Sequence, residues 1–196
     1  LKYIILNLIM IPIRNKKKTL EVTVEEMRNF AFTYVEKYAP SKQQLKTYLL
    51  KKYLKTSVPN VKKQDVTNLI DIVLFDLEKN KFINDKFYSD SKAKSMIQRG
   101  NSINKIRNYL IGKGVNDEFI KGTINKINDQ NSDQDFFSAI KICKKKRIGP
   151  ARTEDNRPLF YKKDISLLAR NGFDFETSKK VMDIDKEDFL KIIKLL

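Results

Sequence analysis

Histidine is absent from this chain of 196 residues, and Cys143 is its one cysteine. The first absence removes imidazole as an acid–base group and as a metal ligand. The second removes internal disulfides and any cysteine cluster able to close around zinc. It agrees with a reducing compartment, so a cytoplasmic location is the expectation. There is no glycine loop followed by Lys-Ser/Thr, the arrangement that cradles nucleotide phosphates. Cys143 itself stands at helical spacing from Phe136, Ala139 and Ile140 and reads as a small core residue. The paired carboxylates Glu25-Glu26 and Glu187-Asp188 lie near helix starts, where they favour the positive end of the helix dipole rather than catalysis. These absences give an enzyme little support, and neither a metal nor a cofactor is expected.

Positive charge is abundant. The chain has 40 Lys+Arg against 24 Asp+Glu, a formal net charge of +16. Such an excess suits an anionic partner, either nucleic acid or an acidic protein surface. An AT-rich genome, which favours Lys, Asn and Ile codons, is the other source of that excess. Hydrophobic residues make up 41% of the chain, enough for a core. The apolar run from Tyr3 to Ile13 is broken by Asn7 and Pro12. It is shorter than the roughly 20 residues needed to span a bilayer. It resembles a signal-peptide core, but Arg14 and Lys16 to Lys18 stand on the wrong side of it. Residues 1–24 are therefore expected to be an extension outside the core, with a strand and a membrane-surface anchor both open as readings.

A short phrase recurs along the chain: Leu45 to Tyr53, Ile106 to Gly114 and, more weakly, Asp164 to Gly172. The copies lie about sixty residues apart, and repeated helical units stack into an extended body rather than closing round a pocket. The apolar periodicity between them is helical throughout. Met27, Phe30, Ala31, Tyr34, Val35 and Tyr38 form one stripe, stopped at Pro40. Ser41 and Gln44 make a capping box for the next helix. A loop containing Pro59 follows it, and Asp65, Ser102, Asp117 and Asp133 are candidate caps of later helices, with Asn84-Asp85 another start. Gly149 to Pro158 lacks an apolar period and reads as a loop, with helix resuming over Lys162 to Arg170. The spacing predicts about nine or ten helices and no core strand. The fold class is all-α: three tandem units of about three helices each, stacked in an extended array. Their bounds are 25–80, 81–130 and 131–196, the last with a C-terminal helix. No Gly/Ser-rich linker separates them, so neighbours should touch and hinge. Leu49, Leu110 and Leu168 occupy equivalent positions and are each expected in the core of their own unit.

Four stretches together carry a family resemblance covering about residues 25–183. They are Ser41-Lys42-Gln43-Gln44-Leu45 with Tyr48 to Tyr53; Leu77 to Phe87, including Phe82-Ile83-Asn84-Asp85; Arg99-Gly100 with Ile103, Ile106, Leu110 and Lys113-Gly114-Val115; and Asp164 to Phe173. In this order the chain resembles the RecX family, bacterial regulators that inhibit the recombinase RecA. It departs from the family pattern at Asn101-Ser102, where glycine and proline often follow, and at Tyr53, where glycine is common. The resemblance implies three tandem three-helix repeats in an elongated, curved array that lies along the groove of the RecA–DNA filament and hinders its growth, strand exchange and ATP hydrolysis. It implies RecA and DNA as partners and no catalytic residue; a monomer without a membrane partner is the expectation.

Three basic clusters are the contact candidates. The densest is Lys144, Lys145, Lys146 and Arg147, followed by Arg152, Arg157, Lys162 and Lys163. Cations at a helix C-terminus also stabilise the helix, which accounts for part of the run; the loop arginines have no such role in this reading. The second cluster is Lys92, Lys94, Arg99, Lys105 and Arg107 around Gly100; the third is Arg14 with Lys16 to Lys18. Most tyrosines and phenylalanines fall on apolar stripes and read as core, Phe160-Tyr161 being the exception in the basic loop. No base-reading arrangement is present, so DNA contacts are expected to be to phosphate.

Overall fold

The structure is a computed structural model and describes residues 20–55 and 62–196. Ten α-helices and no strand lie among the described residues. They are α1 Val24–Tyr38, α2 Lys42–Lys55, α3 Lys63–Lys79, α4 Asp85–Gln98, α5 Ile103–Gly112, α6 Asp117–Gln130, α7 Gln134–Lys146, α8 Asn156–Arg170, α9 Phe175–Met182 and α10 Lys186–Leu195. A 3₁₀ turn, Gly149–Ala151, separates α7 from α8. The expected all-α class holds. The apolar N-terminal run, Arg14, Lys16 to Lys18 and the loop at Pro59 lie outside the described residues.

The helix starts follow local hydrogen bonding. Ser41 Oγ accepts from the Gln44 N–H at 3.2 Å while the Ser41 N–H donates to Gln44 Oε1 at 3.1 Å, a complete capping box. Ser102 Oγ accepts from the Lys105 N–H at 3.1 Å, and Asn84 Oδ1 from the Phe87 N–H at 2.9 Å. Three acids read as caps do not cap. Lys62 holds the position before α3, with Asp65 inside the first turn. Asn116, not Asp117, caps α6, and Asp133 precedes α7 without a capping bond. Within a first turn a carboxylate acts on the helix dipole instead of on an N–H.

Helix ends rely on a left-handed residue. Gly114 (φ 69°) and Gly172 (φ 88°) end α5 and α8, where the next residues, Val115 and Phe173, return their N–H groups to Leu110 and Leu168. Lys81 (φ 60°) and Arg147 (φ 54°) occupy the same position after α3 and α7 with full side chains.

Apolar side chains gather into three clusters. Helices α1–α3 bury Met27, Leu45, Leu49, Ile70 and Leu74, joined by Ile83 beyond the end of α3. Helices α4–α6 bury Ile106, Leu110, Ile120 and Ile124. Helices α7–α10 bury Ile140, Cys143, Leu168, Val181 and Phe189. Leu49, Leu110 and Leu168 are each 0% exposed, as their shared position in the phrase requires. Burial, and then the nearby Asp164 charge, push the Cys143 thiol up to about 12, so it is an inert core residue.

Neighbouring clusters are joined twice by the same hydrogen bonds. Ser41 Oγ donates to the Lys113 carbonyl at 2.7 Å; Ser102 Oγ donates to the Asn171 carbonyl at 2.8 Å. The two serines stand equally far before Leu49 and Leu110, and the two carbonyls equally far after Leu110 and Leu168. A second pair reinforces each joint. Asp85 Oδ1 accepts the Lys42 N–H at 2.8 Å, and Asp135 Oδ1 accepts the Ile103 N–H at 2.7 Å. Glycine is required beside both carbonyls. A Cβ on Gly114 would lie 2.5 Å from Gln43 Cβ, and one on Gly172 2.5 Å from Ser102 Oγ.

Truncating Leu49, Leu110 or Leu168 to Ala should each cost about 2–5 kcal/mol in denaturant melts. Burial raises the pKa of Asp85 and Asp135, and the N–H each accepts offsets this only in part. A raised folded pKa means the folded state takes up a proton more readily than the unfolded chain. Stability from these groups is therefore gained as pH falls through their folded values. Asp85→Asn keeps the acceptor and removes the charge, so it should be neutral or stabilising at pH 7. Asp85→Ala should cost about 1–3 kcal/mol by orphaning the Lys42 N–H. Equal losses in both variants would refute this account of the joint.

Candidate functional site

The second basic cluster surrounds a joint. Gly100 (φ 79°) turns the chain from α4 toward α5 and lies so close to α7 that an added Cβ would meet Lys141 Cβ and the Ser138 carbonyl at 3.0 Å. Arg99 is thus delivered, exposed, beside the helix that ends in Lys144, Lys145 and Lys146. Lys141 and Lys145 are one helical turn apart on α7 and share a face. The fold therefore brings the Gly100 cluster and the α7 cluster to the two sides of the second joint. Lys141 escapes a search for dense runs, because it stands alone among Ala139, Ile140, Ile142 and Cys143. Its spacing from Lys145 is the signal that finds it.

The other members of the second cluster divide by use. Lys94 and Arg107 lie on α4 and α5, Lys94 exposed and Arg107 half-buried. Lys92 is half-buried with its Nζ 5.4 Å from the centre of the Tyr88 ring. Lys105 Nζ donates to Asn171 Oδ1 at 3.1 Å and so braces the joint as well.

Segment 149–158 corrects the sequence reading. Only 152–155 are irregular: a 3₁₀ turn covers Gly149–Ala151, and α8 already begins at Asn156. Arg152 and Arg157 are structural residues. Arg152 grips Asp164 with two hydrogen bonds, Nε to Oδ2 at 2.6 Å and Nη2 to Oδ1 at 2.9 Å. The Gly149 N–H donates to the same carboxylate at 2.9 Å. Asp164 is 1% exposed and sits one turn before Leu168, where the other copies of the phrase have Leu45 and Ile106. Burial pulls the Asp164 pKa up, but Arg152 and the Gly149 N–H outweigh it and hold the group below the ordinary carboxylate value. Arg157 Nη2 donates to the Met182 and Ile184 carbonyls, both at 2.6 Å, tying α8 to the end of α9.

Phe160 and Tyr161 are helical too. Phe160 lies under Arg152, 4.4 Å from the guanidinium carbon, and Tyr161 donates to Asp183 Oδ1 at 3.4 Å. Neither is an aromatic standing free in a loop. Lys162 and Lys163 are exposed on α8, with Lys163 Nζ 5.8 Å from the Phe160 ring centre. Lys144, Lys145, Lys146 and Arg147 at the end of α7, Lys162 and Lys163 on α8, and Lys94 and Arg99 are all exposed. Among the described residues no group of His, Cys, Asp and Glu could hold a metal ion, and no helix is long and apolar enough to cross a membrane.

No family model matches the chain. It is 31% identical over 177 residues to the regulatory protein RecX of Myxococcus xanthus (strain DK1622), covering 87% of this chain and 91% of that relative. The chain belongs to the RecX family. It is also 29% identical over 108 residues to RecX of Agrobacterium fabrum, covering 55% of each chain. A crystal structure of a RecX regulatory protein shares the fold, with a TM-score of 0.57 at 17% identity over 82% of this chain and 74% of that one. A regulatory role follows from membership of the RecX family.

The Arg152–Asp164 pair should dominate the stability of this RecX-family chain around α8. Arg152→Ala leaves a buried carboxylate without its cation and should cost about 3–5 kcal/mol in urea melts. Because the folded pKa of Asp164 is depressed, its contribution is present above the unfolded value near about 3.9 and is lost as pH falls through the folded one. Lys162→Ala, on the exposed face, should change stability by no more than about 0.5 kcal/mol. Comparable losses for Arg152→Ala and Lys162→Ala would show the pair to be incidental.

Proposed function

We propose that this chain binds the RecA–DNA filament along its groove and hinders filament growth, strand exchange and ATP hydrolysis. The observation that supports the reading is the RecX relationship, which spans 87% of this chain and 91% of the Myxococcus xanthus protein. In this reading the three apolar clusters are the cores of three tandem units, 25–80, 81–130 and 131–196, arranged as a curved array. The joints hold them in one register, as a ligand of a periodic filament requires. The protein acts as a monomer in the cytoplasm, and the exposed lysines of α7 and α8 meet DNA phosphates or an acidic protein face.

A net charge of +16 supports a second reading, a basic helical protein that binds DNA by itself through phosphates. RecA ATP hydrolysis on single-stranded DNA, titrated with this protein, separates the two. In the first reading hydrolysis falls well below the concentration at which the protein coats DNA. In the second it falls only at saturation.

Reversing Lys145 and Lys146 to Glu should weaken inhibition and lower the salt slope by about 1 for each phosphate no longer neutralised. Acids at the end of α7 also oppose the helix dipole, by about 0.3–1 kcal/mol each. Lys145→Gln with Lys146→Gln is therefore the control, and it should weaken inhibition with the helical signal intact. Undiminished inhibition in the Gln pair would take this cluster out of the interface.

A further inference from the structure

The first joint carries an aromatic array that neither the joint nor the basic clusters explain. Tyr34 and Tyr38 lie one turn apart at the end of α1, their ring centres 4.8 Å apart. Tyr48 of α2 stacks on Tyr34, with ring centres 4.0 Å apart and planes at 14°. The three rings form a short ladder running outward, and its last member, Tyr38, is 54% exposed. Beside the ladder opens a cleft of about 400 Å³, lined by Tyr34 and Tyr48 with Gln43, Thr47, Lys51 and Lys113.

No carboxylate lines that cleft. Lys37 Nζ stands 5.4 Å from the Tyr38 ring centre, and Lys113 Nζ 5.2 Å from that of Tyr109 across the joint. None of Lys37, Lys51 and Lys113 makes an ion pair among the described residues.

Packing alone does not require the ladder. At the second joint the position of Tyr34 is taken by Ser95 and that of Tyr38 by Arg99, counting back equally from Leu49 and Leu110. The alignment is anchored by Ala39 and Gly100, which take positive φ (40° and 79°) at matching places. The second joint makes the same serine–carbonyl and aspartate–amide bonds with Tyr109, the counterpart of Tyr48, but without rings in place of Tyr34 and Tyr38. The ladder is thus an addition to a joint that closes without it.

An exposed aromatic ring beside a cleft whose lining holds lysines and no carboxylate suits flat rings strung on an anionic backbone. In duplex nucleic acid the base faces are already stacked on one another; in a single strand they are available. We propose that Tyr38, backed by Tyr34 and Tyr48, is a base-stacking site for single-stranded nucleic acid, with Lys37, Lys51 and Lys113 meeting its phosphates. The site reads faces and not edges, so it is indifferent to sequence. It goes beyond the phosphate contacts assigned to α7 and α8, and it does not rest on the RecA reading.

The test uses the full chain and no RecA, so its failure leaves the filament reading standing. A labelled oligo(dT) of about 15 nucleotides is compared by fluorescence anisotropy with an abasic strand of the same length and charge. The chain has 8 tyrosines and no tryptophan, so tyrosine emission reports stacking directly. Oligo(dT) should bind about tenfold more tightly than the abasic strand and quench tyrosine emission. Tyr38→Ala should remove that advantage while leaving the abasic strand's affinity unchanged, and Tyr38→Phe should retain it. Because Tyr38 is exposed, the helical signal should persist in both variants. Equal affinity for the two strands, no binding of oligo(dT), or an undiminished advantage in Tyr38→Ala would each overturn the proposal.

Discussion

Two serine hydroxyls set the relation between neighbouring parts of this protein. A hydroxyl has one proton to give and lone pairs to receive with. Ser41 and Ser102 use both: each accepts an N–H at the start of its own helix and gives its proton to a carbonyl at the end of the next cluster's middle helix. Those carbonyls lie where a helix has run out of internal partners. One side chain therefore completes the start of one helix and the end of another. Both serines are 0% exposed, so neither bond competes with water. The approach this demands is close enough to exclude a Cβ at Gly114 and Gly172. Helix start, helix end and inter-cluster spacing form one constraint, and a change at any of them disturbs the other two.

That constraint separates the two kinds of basic residue. Arg152 and Arg157 are turned inward, one against a buried carboxylate and the other against two backbone carbonyls. A planar guanidinium presents its donors in a rigid fork that matches the two oxygens of a carboxylate, whereas an ammonium group acts as a compact point charge. Lys144, Lys145 and Lys146 sit at the end of α7 and face water. They help the helix through its dipole and remain available to a partner. The end of α7 thus offers mainly lysine to a partner, while Arg152 and Arg157 belong to the scaffold.

Much of this is legible in the residues. Periodicity locates the helices, the capping box marks α2, and the recurring phrase picks out Leu49, Leu110 and Leu168, all in cores. Side chains whose partners are distant in sequence are harder to place. Arg152 and Arg157 read as free cations in a loop, because the loss of apolar period after Gly149 hides the start of α8. The clue is Asp164, a carboxylate at the place where the other copies have Leu45 and Ile106. A buried acid at an apolar position demands a cation, and Arg152 is the near one. The tyrosines of the first joint escape for a different reason. An apolar stripe does not tell its buried edge from its exposed one, and Tyr38 shares a stripe with Met27 and Ala31 while standing more than half in water.

The two joints make the same backbone bonds and surround them with different chemistry. Around the first are tyrosines, glutamines and lysines; around the second, Ser95, Arg99 and the lysines of α7. The bonds that hold each joint draw on a serine, a glycine and an aspartate and leave the flanking positions unconstrained. Those positions can change without altering how the clusters meet. A chain built this way acquires binding surfaces by varying what flanks its joints, and it needs no pocket within any one cluster. This is why the residues most informative about the fold, the buried leucines and joint serines, carry little information about the partner. The flanking residues, which the fold leaves free, carry most of it.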